Sequence, residues 1–209
     1  MKIAVLNPSR GLVFAEAMQS WREALAGIEH LCFTTWNQPI PDAFNVLVER
    51  FLGTDADYAW FLEEDVMVPP RALQALLDLD ADIAAINYPL KKGLNRLSEW
   101  RYRGELQWVG LGCTLVRRSV FTALPRPWFR NDCAIAIVHP GSSCQEKFLE
   151  MVDRNSGQYG GQDAFFCWQA RQRGFSIGVV PHMFCRHLIL DQLGQPESNQ
   201  GCHAIRQAQ

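Results

Sequence analysis

The sequence lacks any CxxC pair, and its seven cysteines are an odd number. Cys32, Cys113, Cys167 and Cys185 sit among apolar residues, where a reduced thiol packs as a small hydrophobe. A disulfide framework and a cysteine-built zinc cluster are both disfavoured. Cys185, His182 and His187 are close in sequence, but no second pair completes a structural zinc site. No apolar run approaches the roughly 20 residues that cross a bilayer. The opening MKIAVLNPSRG is apolar only briefly. Asn7, Pro8 and Arg10 end it too early for a signal peptide, so a cytoplasmic protein is expected. No GxGxxG follows that first stretch, which removes the dinucleotide-binding fingerprint. An excess of charge of one sign is missing too. The net charge is −2, which argues against a protein that coats nucleic acid non-specifically.

What is present suits one globular domain. The chain has 209 residues, 48% hydrophobic and 20% charged, and shows no internal repeat. Apolar strand-like runs at 3–6, 30–34, 58–62 and 83–86 alternate with stretches whose apolar residues recur at helical spacing. Phe14, Met18, Trp21 and Leu25 mark one such helix. Phe44, Leu47, Val48 and Phe51 mark a second, with Asp42 as its expected cap and Gly53 past its end. Pro69-Pro70 is the expected opening of a third. This alternation predicts an α/β fold with a mostly parallel central sheet flanked by helices. Beyond residue 86 the rhythm breaks. A short hairpin is expected within 87–109, a strand at 110–116, a short helix capped by Ser119 and a small strand at 135–138. A helix over 162–173 and a last strand at 175–180 follow. Residues 1–190 read as one domain and 191–209 as a polar, mobile tail.

The stretch DYAWFLEEDVMVPP (57–70) carries the chemistry. A buried strand runs into Glu63, Glu64 and Asp65, and adjacent carboxylates repel. In an open α/β sheet, ligands bind beyond the carboxyl ends of the strands. Side-chain alternation points Glu63 and Asp65 one way and Glu64 the other. Two readings fit. The acids hold a hard divalent cation, or they form an acidic loop before a helix whose first turn favours negative charge. Between Lys91 and Arg130 basic residues dominate, including Arg101, Arg103, Arg117, Arg118, Arg126 and Arg130. That stretch is either a solvated face or a surface for an anionic partner.

The stretch resembles the metal-binding motif of GT-A fold glycosyltransferases, in which an apolar strand ends in Asp-x-Asp or a variant. Here the variant is Glu63-Glu64-Asp65. Gly110-Leu111-Gly112 before an apolar strand resembles the family's glycine loop. Gly161-Gln162-Asp163 at a helix start resembles its x-Glu-Asp element, with Gln162 replacing the usual Glu. His187 in FCRHL resembles the late histidine of the metal site. PSRG (8–11) and DAFN (42–45) are similar to segments of family-2-like members, among them small bacterial or phage enzymes. The resemblance spans about residues 1–190.

The resemblance implies a single Rossmann-like GT-A domain and a metal-dependent, inverting transfer of a sugar to a hydroxyl. The expected donor is a nucleotide sugar, most simply a uridine diphosphate sugar. It implies Mn2+ or Mg2+ on Asp65 and His187, with His182 as the competing histidine. It implies donor contacts from Arg10, Glu63, Glu64, Gly110 and Gly112, with Glu64 second in line to the metal or facing solvent. Asp163 is the implied general base, held ionised by the helix dipole, although a plain helix cap reads equally well. Trp100, Trp108 and Trp128 flank the acceptor side, as sugar platforms or as core. The acceptor is open: a hydroxylated base in DNA, a glycan or a protein side chain. Two other readings stand beside this one. A nucleotidyltransferase shares the sheet and the acids, but PSRG is short for its glycine-rich loop. A non-catalytic nucleotide-sugar-binding module uses the same fold without the reaction.

Overall fold

The computed structural model describes residues 1–90, 97–138, 145–150, 161–190 and 196–198. The elements in chain order are β1 (Ile3–Ser9), α1 (Ala15–Ala24), β2 (His30–Trp36), α2 (Ile40–Leu52), β3 (Tyr58–Leu62) and β4 (Val66–Met67). Then come α3 (Ala72–Asp78), β5 (Ile83–Asn87), β6 (Glu99–Tyr102), β7 (Glu105–Val109), β8 (Cys113–Arg117) and α4 (Arg118–Ala123). The last are β9 (Cys133–Val138), β10 (Gln145–Glu150), α5 (Gln162–Gln172), β11 (Ile177–Phe184), β12 (Arg186–Leu190) and β13 (Pro196–Ser198).

The central sheet has six strands in the order β11-β5-β8-β3-β1-β2. Neighbours are parallel except around β8, which runs antiparallel to both β3 and β5. The sheet is therefore mostly parallel, as the βα alternation predicts, with one reversed strand in the middle. Period-2 alternation splits its side chains between two layers. Ala4, Leu6, Ala59, Phe61, Ile83 and Ala85 face α2, α4 and α5. Ile3, Val5, Trp60, Leu62, Ala84 and Ile86 face α1 and α3. Both faces are covered, which explains why these strands read as continuous apolar runs. The first layer is aromatic: Phe44 stacks on Phe61 at 5.2 Å, and Phe121 stacks on Phe166 at 5.4 Å. Asn45, within the DAFN segment, clips the 128–129 backbone to α2. Its Oδ1 accepts the N–H groups of Trp128 and Phe129, and its Nδ2 donates to the Phe129 carbonyl.

Several local expectations shift. Helix α2 starts at Ile40 with Pro39 at its cap position, so Asp42 lies inside the first turn rather than capping it. Pro69-Pro70 forms a turn, closed by the Ala72 N–H on the Pro69 carbonyl, and α3 begins only at Ala72. Arg117, not Ser119, holds the cap position of α4. The last core strand runs to Phe184 instead of stopping at 180. The hairpin expected within 87–109 is β6-β7. The expected tail lies outside the described residues, apart from β13, which pairs with β12. Among the described residues no helix is long and apolar enough to cross a membrane.

Candidate active site at the carboxyl edge of the sheet

Strands β1, β3 and β5 all end at one edge of the sheet, and the reversed β8 begins there. Four loops therefore meet: 9–12 after β1, 63–65 after β3, 88–90 after β5 and 110–112 before β8. The join between β3 and β8 is backbone to backbone, with Glu63 N–H donating to the Gly112 carbonyl at 3.1 Å. The chain turns at 63–65, and the Val66 N–H closes that turn on the Glu63 carbonyl. It then pairs β4 with β12, matching His187 to Val66. The Leu188 N–H donates to the Asp65 carbonyl at 2.6 Å. This pairing brings His187 to Asp65.

The three acids divide their work. Glu64 is buried and faces the loop after β1. Its carboxylate accepts the Ser9 hydroxyl at 2.7 Å, the Arg10 backbone N–H at 2.7 Å and the Arg10 Nε–H. The expectation of a solvent-facing Glu64 is thus corrected: its carboxylate is the anchor that shapes loop 9–12. Asp65 meets the same Arg10 from the His187 side. Its Oδ2 accepts Nη2 of Arg10 at 3.1 Å and lies 3.4 Å from Nε2 of His187. Burial pushes the Asp65 carboxyl up, but His187 and Arg10 outweigh it and hold it below the usual range. Burial works against a charged His187, but Asp65 outweighs it and raises the imidazole. His187 Nδ1 lies 2.9 Å from the Pro89 carbonyl, which makes Nδ1 the protonated nitrogen and turns Nε2 toward Asp65. His182 is exposed on β11, in a left-handed conformation (φ 61°).

Glu63 and Asp163 form the second half of the site. Burial pushes the Glu63 carboxyl up to about 8, and the negative charges of Asp163 and Asp65 push it the same way. Burial lifts Asp163 to about 7, against hydrogen bonds from the Leu111 backbone and the Gln162 side chain. Asp163 stands in the first turn of α5. The helix dipole there favours its charge, but desolvation wins, and the expectation of a carboxyl held ionised by the dipole is corrected. Asp163 Oδ1 is sealed from solvent and has no hydrogen-bond partner among the described residues. A buried acceptor without a donor is costly.

Tyr88 is the residue that sequence reasoning missed. It is buried at the end of β5, and its hydroxyl accepts the Gly112 N–H at 3.2 Å. Its ring meets His187 edge-on at 5.3 Å. A Cβ on Gly110 would come within 2.5 Å of the Tyr88 hydroxyl, and one on Gly112 within 2.8 Å of its ring. Both positions are glycine because a tyrosine occupies the space beside them. Tyr88 stands one residue past the apolar run 83–86, after Asn87, at a carboxyl strand end, which is the signal that could have flagged it.

Other expected residues fall elsewhere. Trp128 is core, with its Nε1–H on the Phe121 carbonyl. Trp100 and Trp108 face each other across the β6-β7 hairpin. Lys91, Lys92 and Arg96 lie outside the described residues. The arginines that follow are engaged within the fold. Arg101 pairs with Glu99, Arg103 stacks on Tyr102 and Arg117 bridges Asp80 and Asp82. Arg126 pairs with Glu49 and Arg130 with Asp132.

A divalent cation would find two protein ligands here, Asp65 and His187. Among the described residues no group of three or more His, Cys, Asp or Glu side chains is arranged to hold a metal ion. Two ligands suit an ion that keeps several waters and takes phosphate oxygens. The pinned Nδ1 of His187 is the usual support for a ligating Nε2. The donor set fits such an ion.

No protein-family model matches the chain, and no curated protein matches it. Among solved structures, the crystal structure of A197 from STIV aligns with a TM-score of 0.61 and 19% identity, covering 95% of this chain and 94% of that one. A structure of 4-diphosphocytidyl-2C-methyl-D-erythritol synthase aligns at 10% identity over 98% of this chain and 96% of that one, with a TM-score of 0.38. The second likeness is too slight to carry an argument. The first establishes a fold: nearly the whole chain shares its α/β, Rossmann-like architecture with A197 from STIV.

Proposed function

We propose that this chain is a glycosyltransferase that moves a sugar from a nucleoside diphosphate donor to an acceptor hydroxyl, with inversion. One observation carries the reading. At the carboxyl edge of the sheet, a pair able to ligate a cation (Asp65 and His187) stands beside half-buried carboxyls whose affinity for protons is raised toward neutrality (Asp163 and Glu63). Leaving-group stabilisation and proton removal are the two demands of this reaction.

Each residue then has a task. Asp65 and His187 would hold Mn2+ or Mg2+, which as a Lewis acid stabilises the departing diphosphate. Arg10 offers its guanidinium to the phosphates. Asp163 takes the proton of the acceptor hydroxyl. Its pKa of about 7 suits a base working near neutral pH, and the active, ionised form grows as pH rises through that value. The acceptor oxygen bonds the anomeric carbon, the bond from that carbon to the diphosphate oxygen breaks, and the electron pair leaves with the diphosphate. Gly110 and Gly112 keep the loop beside Tyr88 close enough for Leu111 to hold Asp163.

The test is a thermal-shift screen of nucleotides with and without Mn2+. Uridine diphosphate at about 100 times its dissociation constant should stabilise by about 2.7 kcal/mol, and only with the cation. Equal stabilisation in excess chelator removes the metal from the reading. Stabilisation by nucleoside triphosphates alone, with pyrophosphate released on turnover, would instead favour nucleotidyl transfer.

A further inference from the structure

Asp65 Oδ2 is a shared acceptor, reached by Arg10 Nη2 at 3.1 Å and facing His187 Nε2 at 3.4 Å. The same arginine gives its Nε–H and its backbone N–H to Glu64. Glu64 is buried and is also held by the Ser9 hydroxyl. The Arg10 side chain, by contrast, is 64% exposed. The guanidinium is therefore pinned at one end by its Nε–H on Glu64, while the backbone N–H of the same residue holds the loop to that carboxylate. Its other end rests on Asp65 through a single contact open to solvent.

We propose that Arg10 is a specificity-determining residue: it makes Asp65 discriminate against a bare divalent cation and in favour of one that arrives with a diphosphate. The inference rests on the metal and donor reading above. In the free protein Nη2 occupies the oxygen a cation needs. A cation alone must displace Nη2 and then sit beside a guanidinium left without its second partner, so charge repels charge. A diphosphate removes that penalty. Its oxygens accept the freed Nη2 in a charge-assisted bond. The backbone N–H and the Ser9 hydroxyl on Glu64 keep loop 9–12 in place, so only the planar guanidinium of Arg10 has to swing. Cation and diphosphate then assist each other, and the assistance is reciprocal.

The experiment is calorimetric titration of Mn2+ alone and Mn2+ with saturating uridine diphosphate. It uses wild type, Arg10→Ala, Arg10→Lys and Asp65→Asn, each checked for folding by its melt. Arg10→Ala should bind bare Mn2+ about fivefold tighter than wild type, the scale of a solvent-exposed ion pair. Uridine diphosphate should tighten Mn2+ binding to wild type by about tenfold and to Arg10→Ala by much less. Arg10→Lys keeps the charge but loses the planar fork that reaches both Glu64 and Asp65, and should tighten bare Mn2+ binding, though by less than Arg10→Ala. If both variants bind bare Mn2+ no tighter than wild type, Arg10 does not guard Asp65. If Arg10→Lys matches wild type while Arg10→Ala is tighter, charge and not the bridging contact is responsible, and the proposal fails. If wild type and Asp65→Asn both ignore Mn2+ with and without the nucleotide, the metal reading itself is wrong and this inference falls with it.

Discussion

The two edges of the central sheet treat charge in opposite ways. At the amino edge, charges meet partners near solvent. Lys2 pairs with Asp55 at 2.7 Å, the amino terminus with Asp57 at 3.8 Å, and Arg117 with Asp80 and Asp82. Arg118 caps the end of α2, donating to the carbonyls of Phe51, Leu52, Thr54 and Ala56. At the carboxyl edge, acids are gathered and desolvated, and two of them are driven up toward neutrality. A hollow of about 440 Å3 opens at the amino edge, lined by Met1, Asp57, Tyr58, Arg117, Arg118 and Ser119. The cations lining it are already engaged within the fold. Concavity alone does not make a site; unresolved electrostatic demand points to one.

Substitutions at the two edges test this contrast. The largest expected effect is at Asp163. Asp163→Asn should slow sugar transfer by about 10²–10⁴-fold while leaving Mn2+ and uridine diphosphate binding nearly intact. A normal rate would move the base elsewhere, with Glu63 next. At the opposite edge, Arg118→Ala should cost stability and nothing else. Losing charged donors to several carbonyls is worth about 2 kcal/mol, or roughly a 5 °C fall in melting temperature. A change in nucleotide affinity would break the separation of the edges.

Glu63→Gln gives a smaller effect with a pH signature. The native carboxyl holds its proton up to about 8, whereas the unfolded one loses it near 4.5. Between those values the native state binds more protons, so wild-type stability falls as pH rises. Glutamine removes that loss. The variant should match wild type at pH 4 and become progressively more stable than wild type toward pH 9 in denaturant titrations. A pH-independent difference would place Glu63 in a solvated setting. Arg117→Gln should change stability least, by about 0.5 kcal/mol or less, since its ion pairs are exposed. A larger loss would show that the amino edge is less relaxed than its geometry indicates.

Periodicity made most of the sheet and helices legible. Apolar runs over 58–62 and 83–86 could only be strands covered on both faces, and α2 carries its apolar face in its spacing. Strand β4 was not legible, because two residues show no period. Its pairing with β12 is the contact that sets His187 against Asp65. The turn at Pro69-Pro70 was misread because Pro suits a helix start, yet Arg71 adopts a left-handed φ of 63° before α3 begins. Strand alternation does not extend through 63–65, which is a turn in which Arg10 meets both Glu64 and Asp65, and it could not reveal Ser9 and Arg10 as partners, since they arrive from another strand. Asp163 was read through its own helix, whereas its protonation is set by burial, which depends on chains far away in sequence.

The reversed strand β8 has a consequence for how the molecule assembles. It fills the slot between β3 and β5, bonding Tyr58–Leu62 on one side and Ile83–Ala85 on the other. Until Cys113–Arg117 arrives, the sheet is two separate pieces, β2-β1-β3 and β5 with its later partner β11. Its closure pairs Tyr58 with Arg117, a sequence separation that slows folding. The segment that inserts between the halves is preceded by the loop 110–112, which meets Glu63, Tyr88 and Asp163. A nascent chain ending before residue 113 therefore has the acids of 63–65 but no joined sheet behind them, and Asp163 on α5 and His187 on β12 come later still.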